Sequence, residues 1–92
     1  MTKTIEMTLT IRNELGLHAR AATKFVHTAI KYKAEVFVEK DGRMINGKSI
    51  LGLLTLLASQ GSKIHLSSTG SDCEEQLAAL KALIDNKFGE AV

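Results

Sequence analysis

Polar and apolar residues alternate from Thr4 to Ile11, with Ile5, Met7, Leu9 and Ile11 on one side and Thr4, Glu6, Thr8 and Thr10 on the other. A period of two predicts a half-buried strand. Arg12-Asn13-Glu14 breaks the alternation, and Ala22, Phe25, Val26, Ala29 and Ile30 then recur at helical spacing. This predicts a helix over about residues 19–31 that buries that stripe and leaves Lys24, His27, Thr28 and Lys31 in solvent. Alternation returns over residues 34–39, where Ala34, Val36 and Val38 oppose Glu35, Phe37 and Glu39. Asp41-Gly42 follows, a dipeptide suited to a two-residue hairpin because both turn positions favour positive φ, and a short strand over residues 43–46 completes the hairpin.

Gly47-Lys48-Ser49 opens a second predicted helix over residues 49–58, in which Ile50, Leu51, Leu53, Leu54, Leu56 and Leu57 wrap most of the circumference. Such a helix either leaves an exposed apolar patch, as docking sites do, or lies buried between neighbours. After Gln60-Gly61, Ile64, Leu66 and Ser68 alternate with Lys63, His65 and Ser67 as a fourth strand. Ser71, with Glu74 three residues on, has the pattern of a capping box and is expected to start a third helix with Cys73, Leu77, Leu80 and Ile84 facing inward. The tail from Gly89 is expected to fray. The order β-α-β-β-α-β-α predicts an α+β fold with an antiparallel-rich sheet, one face covered by helices and the other left to solvent. With 92 residues and no internal repeat, a single domain over residues 1–92 is expected.

Composition narrows the function by exclusion. Twelve basic against ten acidic residues leave a net charge of +2, too balanced to argue for a nucleic-acid or membrane-surface partner. An RNA-binding sheet would display stacking aromatics, and only Phe37 and Tyr32 are plausible exposed rings here. The single cysteine, Cys73, cannot form an intrachain disulfide, and no apolar run approaches the ~20 residues that span a bilayer. No signal-peptide pattern precedes the first strand, so a cytoplasmic protein with no membrane insertion is expected. His27 and His65 stand at no usual ligand spacing from His18 and no cysteine pair accompanies them. Neither a metal nor a cofactor is expected.

The chemistry concentrates in Gly16-Leu17-His18-Ala19-Arg20, where the first strand pattern has ended and the first helical pattern begins. Free backbone N–H groups and the helix dipole favour negative charge at such a point. A neutral imidazole nitrogen can accept a phosphoryl group there, and the helix start and Arg20 both disfavour the protonated ring. The N–H groups and the guanidinium fork of Arg20 can then hold phosphoryl oxygens, and Gly16 lets the backbone approach closely. The alternative is that His18 merely caps the helix. Local chemistry leaves both readings open.

These residues resemble the signature Gly-Leu/Ile-His-Ala-Arg-Pro-Ala of HPr, the histidine-containing phosphocarrier family of the bacterial phosphoenolpyruvate-dependent sugar phosphotransferase system. Gly16, His18, Ala19, Arg20 and Ala22 occupy their signature places, and Lys48-Ser49-Ile50-Leu51-Gly52 is similar to the family's second, regulatory segment. The resemblance implies an open-faced β-sandwich, with a four-stranded antiparallel sheet and three helices on one side. It implies that His18 accepts phosphate from Enzyme I and passes it to IIA domains of sugar permeases, assisted by Arg20, without enzymatic turnover of its own. Ile50, Leu51 and Leu54 match the family's nonpolar docking surface, and a monomer is expected.

Ser49 matches the serine that an ATP-dependent kinase, HPr kinase/phosphorylase, modifies in many members. Phosphate is electrostatically well placed at a helix start, but Ser49 is equally read as an ordinary N-terminal helix residue. One departure is Ala21, where the family usually has a proline that fixes φ in the first turn. The alternative within the family is the carrier of the nitrogen-related phosphotransferase branch, which shares the histidine motif and serves regulation.

Overall fold

Four strands form one sheet in a computed structural model that describes residues 2–92; Met1, the first residue of the expected domain, lies outside the described residues. Strands β1 (Thr4–Thr10), β2 (Glu35–Lys40), β3 (Arg43–Asn46) and β4 (Lys63–Thr69) lie in the order β1-β4-β2-β3, and every neighbouring pair is antiparallel. Register follows the alternation. Met7, Leu66 and Val38 sit side by side across three strands, as do Ile5, Ser68 and Val36. Their polar alternates, such as Glu6, Thr8, Lys63 and Glu35, face solvent. The β2–β3 hairpin turns at Asp41 and Gly42, with φ of 51° and 82°, the left-handed pair that this dipeptide tolerates.

Helices α1 (Ala19–Ala29), α2 (Ile50–Leu54) and α3 (Cys73–Asp85) cover the apolar face. Phe25, Val26 and Ala29 of α1 meet Leu77, Leu80 and Ile84 of α3 and the sheet residues Val36, Val38, Ile64 and Leu66 in one core. The expected β-α-β-β-α-β-α order is present, with a 3₁₀ turn (Lys87–Gly89) after α3. No helix among the described residues is long and apolar enough to cross a membrane.

Several expectations yield to tertiary contacts. The second helix does not run over residues 49–58 but stops at Leu54. Thr55 turns its hydroxyl back onto the Gly52 carbonyl, Leu56 and Leu57 continue with i→i+3 bonds, and Leu57 enters the left-handed region at φ 52°. Ile30, expected in the buried stripe, is 57% exposed because α1 ends at Ala29. Lys24, expected in solvent, is half-buried and donates to the Phe88 carbonyl at 2.6 Å.

The capping box at Ser71 does not form, because α3 starts two residues later with Asp72 at its N-cap. The Asp72 carboxylate instead accepts the Lys33 and Ala34 N–H groups at 2.9 and 2.8 Å, closing the loop before β2. Glu74 pairs with Lys3. The tail from Gly89 does not fray either. Phe88 is fully buried, and the Glu14 N–H donates to the Val92 carbonyl at 2.5 Å.

Candidate functional site at the start of the first helix

The segment from Asn13 to Leu17 crosses from the end of β1 to α1 against the backbone of residues 58–59. Gly16 has φ +68°, and a Cβ there would lie 2.6 Å from the Ala58 carbonyl oxygen and 2.9 Å from the Ser59 Cα. Only glycine fits this place. The close approach it permits is to that neighbouring backbone, and the next residue, Leu17, donates to the Ala58 carbonyl at 2.8 Å. Inside the turn Asn13 is fully buried and spends both amide protons, on the Gly16 carbonyl at 2.7 Å and on the Glu90 Oε1 at 2.9 Å.

His18 takes the N-cap position of α1 with extended backbone, and its carbonyl accepts the first helical bond from Ala22 at 2.8 Å. Its imidazole makes no capping bond to the helix. The side chain, 28% exposed, turns the other way and places Nε2 2.5 Å from the Glu90 Oε2. Capping therefore does not account for the ring, and the first-turn N–H groups remain available to a ligand. Arg20, one turn position further, is exposed and has no ion pair among the described residues. Ala21 is fully buried in the same turn.

Glu90 is the group that local sequence reasoning missed. Burial alone would push its carboxyl up, but hydrogen bonds from Asn13 and His18 and the positive charge of His18 and Lys24 outweigh burial and hold it below the usual carboxylate range. Nothing in the spacing around His18 points to a residue 72 positions away. Asn13 carried a weak signal, as an asparagine three residues before a glycine in a strand-to-helix turn.

Beside the histidine lies an open depression of about 320 Å³ lined by Leu15, Leu17, His18, Leu54, Leu57, Ala58 and Ser59. Of the expected docking residues, Leu54 lines it, Leu51 stands 77% exposed on the same helix, and Ile50 is half-buried against the core. Leu15 and Leu57, 67% and 81% exposed, enlarge the apolar surface at its rim. Ser49 is the N-cap of α2, and its Oγ accepts the Gly52 N–H at 3.0 Å. No group of histidine, cysteine and acidic side chains among the described residues is arranged to hold a metal.

Comparison with known proteins gives consistent relatives. Residues 5–86 match the family model of the PTS HPr component phosphorylation site. The phosphocarrier protein HPr of Neisseria meningitidis is 46% identical over 86 residues, covering 94% of this chain and 97% of that protein. The phosphocarrier protein NPr of Shewanella violacea is 44% identical over 91 residues, covering 99% of each. Among solved structures, HPr from Thermoanaerobacter tengcongensis superposes with a TM-score of 0.92 at 48% identity, over 96% of this chain and 99% of that one.

Proposed function

The chain belongs to the HPr family of the phosphotransferase system, and from that premise we propose that His18 is its phosphoryl acceptor, receiving the group from Enzyme I and passing it to IIA domains of sugar permeases. The observation that carries this reading is the disposition of the ring. His18 sits at the N-terminus of an 11-residue helix without capping it, two residues before an arginine that has no ion pair among the described residues and beside an apolar depression. A phosphoryl group on the ring would lie at the start of α1, where free first-turn N–H groups and the guanidinium that Arg20 carries both favour negative charge.

Leu54, Leu51 and Ile50, with Leu15 and Leu57 around them, supply the nonpolar surface on which either partner docks. The role is that of a carrier, because the group that arrives on His18 leaves it unchanged. Residues 1–92 would act as one phosphocarrier domain, monomeric and cytoplasmic. Ser49 is proposed as a regulatory phosphorylation site for HPr kinase/phosphorylase. Its hydroxyl already faces the start of α2 and is only half-buried, and a phosphate there would add negative charge beside the docking leucines.

A second reading has a specific observation behind it. The NPr relative is 44% identical against 46% for the Neisseria HPr and covers more of the chain, which favours keeping the nitrogen-related branch as an alternative pathway for the same His18 chemistry.

The decisive experiment is incubation with Enzyme I and phosphoenolpyruvate, followed by intact-mass measurement at neutral and acidic pH. One acid-labile phosphate is expected on the wild type and none on His18→Ala. No phosphate on the wild type, or equal phosphate on the variant, would overturn the carrier reading. Substituting the nitrogen-branch Enzyme I separates the two pathways by rate. With the kinase and ATP, an acid-stable adduct that persists in Ser49→Ala would reject Ser49.

A further inference from the structure

Leu57 keeps its side chain out of the core at the expense of its own backbone. It follows the end of α2 with φ 52°, a left-handed conformation that residues with a Cβ avoid because that atom crowds the carbonyl oxygen. Glycine or asparagine would meet this turn with less strain. Both sequence neighbours, Leu56 and Ala58, are buried. Ala58 is fixed further, because its carbonyl accepts the Leu17 N–H at 2.8 Å and packs against Gly16. The left-handed turn lets both neighbours face inward and leaves the leucine between them 81% exposed. Neither burial nor backbone preference accounts for a leucine here. A strained residue that also exposes a large apolar side chain is accounted for by a contact outside the chain.

What covers Leu57 follows from the chemistry of the neighbouring ring. Leu57 and His18 line the same depression, in which His18 is the only ionisable side chain. A phosphoryl group passes between two proteins only when the reacting atoms come within about 3–3.5 Å of each other. A partner that reaches the ring therefore closes over the depression the ring lines. We propose that Leu57 is a preset docking anchor: held out by its left-handed backbone, it enters an apolar, uncharged hollow that the partner carries beside the group giving or taking the phosphate. This role rests on the carrier reading above. It is distinct from that of the α2 leucines, because Leu57 lies beyond the helix and owes its direction to one backbone angle.

The backbone strain is present in the free carrier and in the complex alike, so it holds the leucine out before the partner arrives. With the turn pinned on both sides by buried neighbours, docking requires little ordering of the carrier at this point. A partner with an apolar hollow gains the burial of a leucine side chain. One with a charged or polar group in that place would bury it against the leucine without a hydrogen-bond partner, which is unfavourable.

The test measures steady-state phosphoryl transfer from phospho-Enzyme I to the carrier, with urea melts of the same proteins, in the wild type, Leu57→Gly, Leu57→Asn and Leu57→Met. Glycine and asparagine both accept a left-handed backbone and remove the apolar side chain. Methionine keeps an apolar side chain of similar volume. KM for the carrier should rise about tenfold or more in Leu57→Gly and Leu57→Asn, the loss of one leucine buried on docking, with kcat changed far less. Leu57→Met should keep KM near the wild-type value. The urea midpoints of Leu57→Gly and Leu57→Asn should not fall below the wild type, because a strained backbone is relieved and an exposed side chain is lost.

A wild-type KM in Leu57→Gly and Leu57→Asn overturns the proposal, and so does a KM in Leu57→Met raised as far as in Leu57→Asn. Lower urea midpoints in both Leu57→Gly and Leu57→Asn, or failure of both to fold, also overturn it, since the leucine would then serve the fold. A wild type that takes up no phosphate overturns the carrier reading and this role together. A wild-type KM in the variants leaves the carrier reading standing.

Discussion

Replacing Gly16 with alanine tests whether the turn that seats His18 is held by backbone contact. The residue has φ +68°, where an L-residue is disfavoured by about 1–2 kcal/mol. The added Cβ would also stand 2.6 Å from the Ala58 carbonyl oxygen and 2.9 Å from the Ser59 Cα. Both obstacles are backbone and cannot swing aside, so either the 13–17 turn or the segment after α2 must shift, a strain of about 1–3 kcal/mol for overpacking. Together these predict a loss of about 2–5 kcal/mol from a total that for small domains is about 5–15 kcal/mol.

Gly42→Ala is the control. Gly42 has φ +82°, and nothing lies within 4 Å of its Cβ position, so only the conformational part of about 1–2 kcal/mol is expected there. Urea denaturation followed by circular dichroism gives both losses, with unchanged m-values showing that the unfolded states are comparable. If Gly16→Ala lies within about 0.5 kcal/mol of Gly42→Ala, the scatter of harmless surface changes, the contact argument is wrong. Phosphate uptake by Gly16→Ala at a temperature where it remains folded should also slow, since the displaced turn carries the Leu17 to Ala58 bond immediately before His18.

Leu51→Glu should leave the urea midpoint nearly unchanged, because the side chain is 77% exposed, while slowing transfer to docked partners; an unaltered transfer rate would remove Leu51 from the docking surface. Gln76→Leu should cost about 2–4 kcal/mol, because the fully buried amide serves the Ala29 and Ala34 carbonyls and the Ser68 hydroxyl, and the variant removes these three bonds, leaving Ala29 only its Tyr32 N–H; equal or higher stability by the same melt would refute it. Acid should also weaken the fold. The N–H groups of Lys33 and then Ala34 hold the Asp72 carboxyl below its usual range despite desolvation. A carboxyl lowered in the folded state stabilises fully above the unfolded value of about 4 and loses that contribution as pH falls through the folded value. Urea midpoints measured from pH 7 downward should therefore fall, and fall less steeply in Asp72→Asn; equal slopes would exclude this carboxylate as a contributor.

Much of the fold was legible because short-range periodicity carries it. Alternation over 4–11, 34–39 and 63–68 marks strands whose apolar faces must meet a common core, and that shared requirement sets the register that joins Met7, Leu66 and Val38. Asp41-Gly42 specifies its hairpin through its own backbone preferences. The pairing of His18 with a helix start is equally local, since the extended backbone of the N-cap and the apolar stripe that follows are both written within one or two turns.

What the tertiary structure decided are the choices among equivalent groups. A carboxylate can serve any nearby N–H, and whether Asp72 caps its own helix or closes the loop before β2 depends on which donors the packed chain brings within reach. The leucines of residues 51–57 would wrap one continuous helix, and only the position of α2 over the core and its end at Leu54 determine that Leu53 is buried while Leu51 on the helix and Leu57 beyond it face solvent with Leu15 from another segment. The separation between His18 and Glu90 shows this most clearly. The histidine, its helix and its arginine are determined by neighbours in sequence, whereas the carboxylate arrives from the far end of the chain because burying Phe88 reverses the backbone there. Periodicity reports which residues are inside; it does not report which distant polar groups meet, because that depends on where whole elements come to rest.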